Sequence, residues 1–135
     1  MAELNKTEVD ALYEALEDEY RAWATYDQVI SDFGEVRPFI NIRDAEARHI
    51  QALCSLLDAY EITVPKNTWP GRVTRYNSLR EACEAGVAAE IENDQMYTRL
   101  LRSTDKSDIL TVFRNLQQAS QQRHLPAFQR CVERQ

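Results

Sequence analysis

Glycine and proline are scarce, at three and four residues of 135, and strand signals are nearly absent. With abundant Ala, Leu, Glu, Gln and Arg, this disfavours a sheet and predicts an all-α chain. Any Cys-x-x-Cys is also missing. The three cysteines, Cys54, Cys83 and Cys131, stand apart, which excludes a zinc ribbon and a rubredoxin-type iron centre. Any metal must therefore sit on carboxylate and imidazole. Positive charge is in deficit, with 16 basic against 22 acidic residues and a formal charge of −6, so a nucleic-acid partner is disfavoured and attraction of cations is favoured. No apolar run reaches membrane-spanning length, and Met1 to Asp10 lack the apolar stretch of a signal peptide. The expectation is a cytoplasmic protein with no membrane partner. A length of 135 residues, 44% of them hydrophobic and 28% charged, suits one domain over 1–135 with a single core.

Four helical stripes follow. From Thr7, read as the N-cap, apolar residues recur at Val9, Leu12, Leu16, Tyr20, Trp23, Tyr26 and Ile30 and stop at Gly34. Pro38 fits the first turn of a second helix through Phe39, Ile42, His49, Leu53 and Leu57, which ends before Pro65. Residues 61–77 hold two prolines and a glycine. Extended, that stretch reaches roughly 55 Å at about 3.3 Å per residue, enough to return along a helix and start the third one parallel to the second. Helix three opens with a capping box, Ser78 and Glu81. Helix four has Asp105 or Ser107 as its expected N-cap and should kink near His124, where Pro126 removes a donor and crowds the preceding turn. The expected architecture is a four-helix bundle with one long crossover between helices two and three.

Within these stripes lie Glu19, the Glu46-x-x-His49 pair, Glu90 and His124. Side chains three apart on a helix lie within roughly 60° of one another, so Glu46 and His49 can grip one ion. Carboxylates on otherwise apolar stripes are almost never buried without a partner, and helix bundles commonly host metals at such positions. The competing reading is a polar core in which Glu46 and Glu90 pair with Arg48 or with protonated His49 and His124. The halves of the chain repeat. Glu19 precedes Tyr26 by seven residues as Glu90 precedes Tyr97, and Phe39-x-Asn41-Ile42 with His49 parallels Phe113-x-Asn115-Leu116 with His124, one residue longer. Tyr26 and Tyr97 are either plain core or donors to the ligand carboxylates. Cys83 lies seven residues before Glu90 and Cys131 seven after His124, so the two thiols fall on the same side of the site and can face each other. In a cytoplasmic protein they are expected reduced, with a disulfide or redox pair as the alternative.

Glu19-Tyr20-Arg21-Ala22 through Tyr26, Glu46-Ala47-Arg48-His49, and Glu90 through Tyr97 resemble the ligand helices of rubrerythrin-like members of the ferritin-like superfamily. The stretches FGEVRPF, EARHIQAL, EACEAGVAAEIEN and FRNLQQASQQRHLPAFQRC resemble small prokaryotic ferritin-like proteins grouped as a domain of unknown function. The resemblance implies a ferritin-like four-helix bundle binding one or two iron or manganese ions. Glu19 and Glu90 would be terminal or bridging carboxylates, Glu46 a bridging one, and His49 and His124 one imidazole per metal. It further implies a non-haem oxidase or peroxidase acting on oxygen or peroxide, in a chain that can form homo-oligomers. Two positions depart from the pattern. Gln121 stands where a second Glu-x-x-His would need its carboxylate, and Asn93 where rubrerythrins carry a further Glu. An amide is a weaker ligand than a carboxylate for a hard cation. The alternative is a non-catalytic bundle whose degenerate site serves metal binding or protein interaction.

Overall fold

The computed structural model describes residues 3–135. Its helices are α1 (Lys6–Phe33), α2 (Phe39–Ala59), α3 (Leu79–Leu100), α4 (Ser107–Ala119) and α5 (Leu125–Arg134). A π-helical turn, Ser120–His124, joins the last two into one interrupted rod. The described residues contain no strand, and none of their helices is long and apolar enough to cross a membrane. Four rods with one long connection make an all-α four-helix bundle.

Local chemistry sets the ends. Helix α1 starts two residues earlier than its stripe suggests, because Asn5 rather than Thr7 is the N-cap. The Asn5 side chain accepts from the Glu8 N–H (2.8 Å), and the Glu8 carboxylate accepts in return from the Asn5 N–H (3.0 Å). At the far end Gly34, at φ 95°, donates its N–H to Ile30 O over 2.8 Å, a conformation costly for residues with a Cβ. Ser78 caps α3 by accepting from the Glu81 N–H at 3.1 Å. Neither Asp105 nor Ser107 caps α4: Lys106 is the N-cap residue, without a side-chain cap bond, and its N–H is taken by Thr104 Oγ1 at 3.0 Å. The disturbance expected around Pro126 takes the form of the π turn just before it, so the extra residue between Phe113 and His124 is absorbed as a wider turn.

The single core expected from length is two. One apolar cluster holds Leu12 and Leu16 of α1, Leu53 and Leu57 of α2, Tyr97 and Leu100 of α3, and Ile109, Phe113 and Leu116 of α4. The other holds Tyr26 and Val29, Phe39 and Ile42, Ala82 and Cys83, and Phe128 and Cys131. On every rod a polar stretch lies between the two: Glu19, then Glu46 and His49, then Glu90 and Asn93, then Ser120 and His124. The order of clusters along each rod also gives direction. Both α2 and α3 run from the second cluster to the first, so they are parallel, while α1 and α4–α5 run the other way.

That topology needs the crossover to return along the bundle. Its path is fixed by α1: Tyr13 and Tyr20 hydroxyls donate to Thr63 O (2.8 Å) and Pro65 O (2.7 Å), Trp69 Nε1 donates to Glu17 (3.1 Å), and Arg75 bonds Asp32 (2.6 Å). Trp69 packs on the first cluster and Tyr76 on the second. The thiols expected to be reduced form a disulfide instead, joining Cys83 of α3 to Cys131 of α5. Their Cα atoms are 5.9 Å apart, inside the range a disulfide bridges without backbone movement. Cys54 is free and half-buried.

Candidate metal centre

Each rod contributes to the polar layer because its apolar stripe is interrupted there by a group of the same angular position. Glu19, Glu46, His49, Glu90 and His124 are all buried, the most exposed being His49 at 9%. Glu46 stands at the middle. Its Oε1 lies 3.0 Å from His49 Nδ1 and 3.6 Å from His124 Nδ1, and the two imidazoles stack with centroids 5.4 Å apart. Glu19 Oε2 approaches His49 Nδ1 at 3.5 Å and Glu90 Oε1 approaches His124 Nδ1 at 3.2 Å. Glu46, His49 and His124 each offer a ligand atom within 4.8 Å of the other two, a cluster able to hold a metal ion.

The tyrosines complete the duplication by exchange. Tyr97 of α3 donates to Glu19 of α1, and Tyr26 of α1 donates to Glu90 of α3, both at 2.7 Å. They are therefore core and carboxylate donors at once. Burial pushes both phenols well above their ordinary pKa, and the neighbouring carboxylate charges add to it. Burial acts first on Glu46 too, followed by the charges of Glu19 and Glu90, so its carboxyl is held well above the usual range. Burial also raises Glu19, but His49 and Tyr97 outweigh it and leave that carboxyl below the ordinary value.

Symmetry fails at one position. Counting seven residues from Phe39 gives Glu46, and seven from Phe113 gives Ser120, which is the true counterpart. Ser120 is buried at 1%, and its hydroxyl donates to Glu90 Oε1 at 2.8 Å. Gln121, read from sequence as the degenerate ligand position, is exposed. The π turn adds its extra residue between Ser120 and His124, so the count of three back from the histidine lands on the wrong face. Ser120 was readable from the Phe-x-Asn repeat, had the count started there. Asn93 does face the layer, donating to Asp18 at 2.7 Å and Glu19 at 3.4 Å. Asp18, whose carboxyl is raised mainly by burial, gave no sequence signal beyond its neighbour.

Among the described residues, the ion-pair contacts of Glu19, Glu46 and Glu90 all go to imidazole. Arg48 is exposed and pairs with none of them. Moreover, His49 Nδ1 is buried without a hydrogen bond, since Glu46 is near enough but wrongly directed. Three buried carboxylates and an unpartnered imidazole nitrogen make an electron-rich pocket lacking a cationic side chain.

A family model described as an uncharacterized protein domain, DUF2202, matches residues 8–135. A hypothetical protein from Methanococcus jannaschii with a crystal structure is similar at a TM-score of 0.88, covering 99% of this chain and 84% of its own, with 23% identity. That likeness is one of fold. No curated protein matches the chain.

Proposed function

The chain belongs to the DUF2202 family, described as an uncharacterized domain, and we propose from the geometry of its polar layer that it is a ferritin-like metal-binding bundle. The observation that carries this reading is His49 Nδ1, buried and unbonded with carboxylate oxygens of Glu46 and Glu19 at 3.0 and 3.5 Å. An orphaned buried nitrogen costs free energy unless something uses its lone pair. Carboxylate oxygens and imidazole nitrogens together fit Mn(II) or Fe(II) and suit soft ions poorly. The residues present therefore fit such an ion: Glu46, His49 and His124 would hold it, with Glu19 and Glu90 flanking. Tyr97 and Tyr26 orient those two carboxylates, as outer hydrogen-bond partners do for metal ligands. When bound, the metal would supply Lewis-acid and one-electron chemistry toward oxygen or peroxide.

Ser120 decides the stoichiometry. A serine in the place of the second bridging carboxylate leaves one ligand-rich half, around His49, and one in which Glu90 is already bonded to Ser120 and His124. One tightly held ion is expected. Elemental analysis after anaerobic Mn(II) or Fe(II) loading and desalting should find about one ion retained per chain, and Glu46→Gln should abolish retention by removing the carboxylate between both imidazoles. No retained ion in the parent protein would sink this reading. The alternative is then a polar core of Glu and protonated His without a metal, which the His124–Glu90 contact at 3.2 Å favours on its own side.

A further inference from the structure

The polar layer opens outward between α2 and the π turn. A cleft of about 370 Å³ there has both His49 and His124 among its lining residues. Apart from the Asn41 amide, its other walls are short and apolar: Pro38, Ile42, Ala45, Ala119 and Ala127. Arg37, Arg48 and Arg123 also line it, while no Asp or Glu does, in a chain whose formal charge is −6. All three arginines are exposed, and among the described residues none of them forms an ion pair. By contrast, Arg43 on the same helix is held by Asp27 and Asp44 at 2.9 and 3.3 Å. The arginines of this cleft are thus left free where acidic partners are plentiful elsewhere. At its inner end the cleft meets the rings of His49 and His124, 9% and 4% exposed, which separate it from the buried carboxylates.

We propose that this cleft binds a small organic carboxylate, gripped by Arg37, Arg48 and Arg123, with its apolar body along the alanine wall and its far end against His49 and His124. Guanidinium groups pair with carboxylates through two parallel hydrogen bonds, which makes arginine the residue for planar anion capture. A volume near the lower end of ligand pockets limits the guest to a short chain. The alanine and isoleucine walls favour a carbon body over a bare phosphate, whose remaining oxygens would lose water against them without compensation. The inference rests on the metal reading only in that the same imidazoles would present the metal to this guest. Binding itself needs no metal.

The test uses the metal-free full chain and the fact that it has two histidines, so its imidazole C–H proton resonances are few and are assigned with His49→Gln. Hexanoate, hexanol and inorganic phosphate are titrated separately at constant pH and ionic strength. The expected result is a saturable shift of both imidazole signals with hexanoate, at least tenfold tighter than with hexanol or phosphate. Arg48→Gln/Arg123→Gln should weaken hexanoate at least tenfold while leaving the melting temperature unchanged, since both side chains are exposed. Equal binding of hexanol, tighter binding of phosphate, or an undiminished affinity in the double variant would each overturn the proposal. The metal reading is judged separately by ion retention. A protein that retains its ion and ignores hexanoate refutes the cleft alone, and one that binds hexanoate without retaining an ion refutes the metal alone.

Discussion

Glu8 shows how much a single buried charge can settle. It is 2% exposed, completes the cap of α1 with Asn5, and also meets Thr104 and Lys106 from the loop before α4, the latter at 3.1 Å. The Thr104 hydroxyl, the Asn5 N–H and Lys106 hold its carboxyl below the usual range against the opposing effect of burial. A depressed folded pKa means that the contribution is complete above the unfolded value of about 4.3 and is lost as pH falls through the folded value. Glu8→Gln keeps an acceptor for the cap but removes the charge. Urea melts at pH 7 should show the variant less stable by about 1–3 kcal/mol, and the gap should narrow steadily as pH falls below about 4.3. A gap that stays constant with pH would mean that the charge contributes nothing. The Asn5-x-x-Glu8 box is local, although Thr7 was read as the cap, whereas the contacts to Thr104 and Lys106 were not legible because they come from residues almost a hundred positions away. Glu19, Glu46 and Glu90 were legible, since each interrupts an apolar stripe.

At the scale of the element, the π turn is the feature that spacing rules misread. Ten residues separate Phe39 from His49 and eleven separate Phe113 from His124. A regular helix would carry the extra residue as a rotation of about 100° and swing His124 off the layer. The wider turn at Ser120–His124 takes it up locally, which keeps His124, Phe128 and Cys131 facing inward. The inequality in the repeat was visible in the sequence, but whether helix four kinks or widens depends on packing against α3. Two consequences are opposite in sign. Gln121→Glu should leave ion retention unchanged, because the new carboxylate points to solvent. Deleting Gln122 together with Ser120→Glu restores the ten-residue spacing and creates a second Glu-x-x-His facing the first, so elemental analysis should find a second ion per chain. A second ion gained by Gln121→Glu instead would show that the turn does not occupy this register.

The whole molecule is two apolar half-cores held on either side of a polar layer, and the halves are not equally tied. The first is closed by long aliphatic and aromatic side chains from all four rods. The second is built around Tyr26, Phe39 and Phe128, whose rings lie 5.2–5.9 Å apart, and it contains the Cys83–Cys131 bond. There α3 and α5 are so close that a Cβ on Gly86 would come within 2.7 Å of the Phe128 ring. The parallel run of α2 and α3 was legible from the length of the crossover alone, since a tight turn needs no such reach. The division of the core was not, because a stripe shows which face is buried and nothing of what lies above or below it. The disulfide closes a loop of 48 residues, which on the chain-entropy argument adds about 4 kcal/mol by restricting the unfolded chain. It also fixes α5 immediately after the turn that carries His124. Cys83→Ala/Cys131→Ala should therefore lower the melting temperature by roughly 10 °C or more, and reducing agent should lower the parent to a similar degree while leaving the double variant unmoved. If reductant has no effect on the parent although thiol titration shows three free cysteines, the bond does not stabilise the fold, and the second half-core is held by its aromatic packing alone.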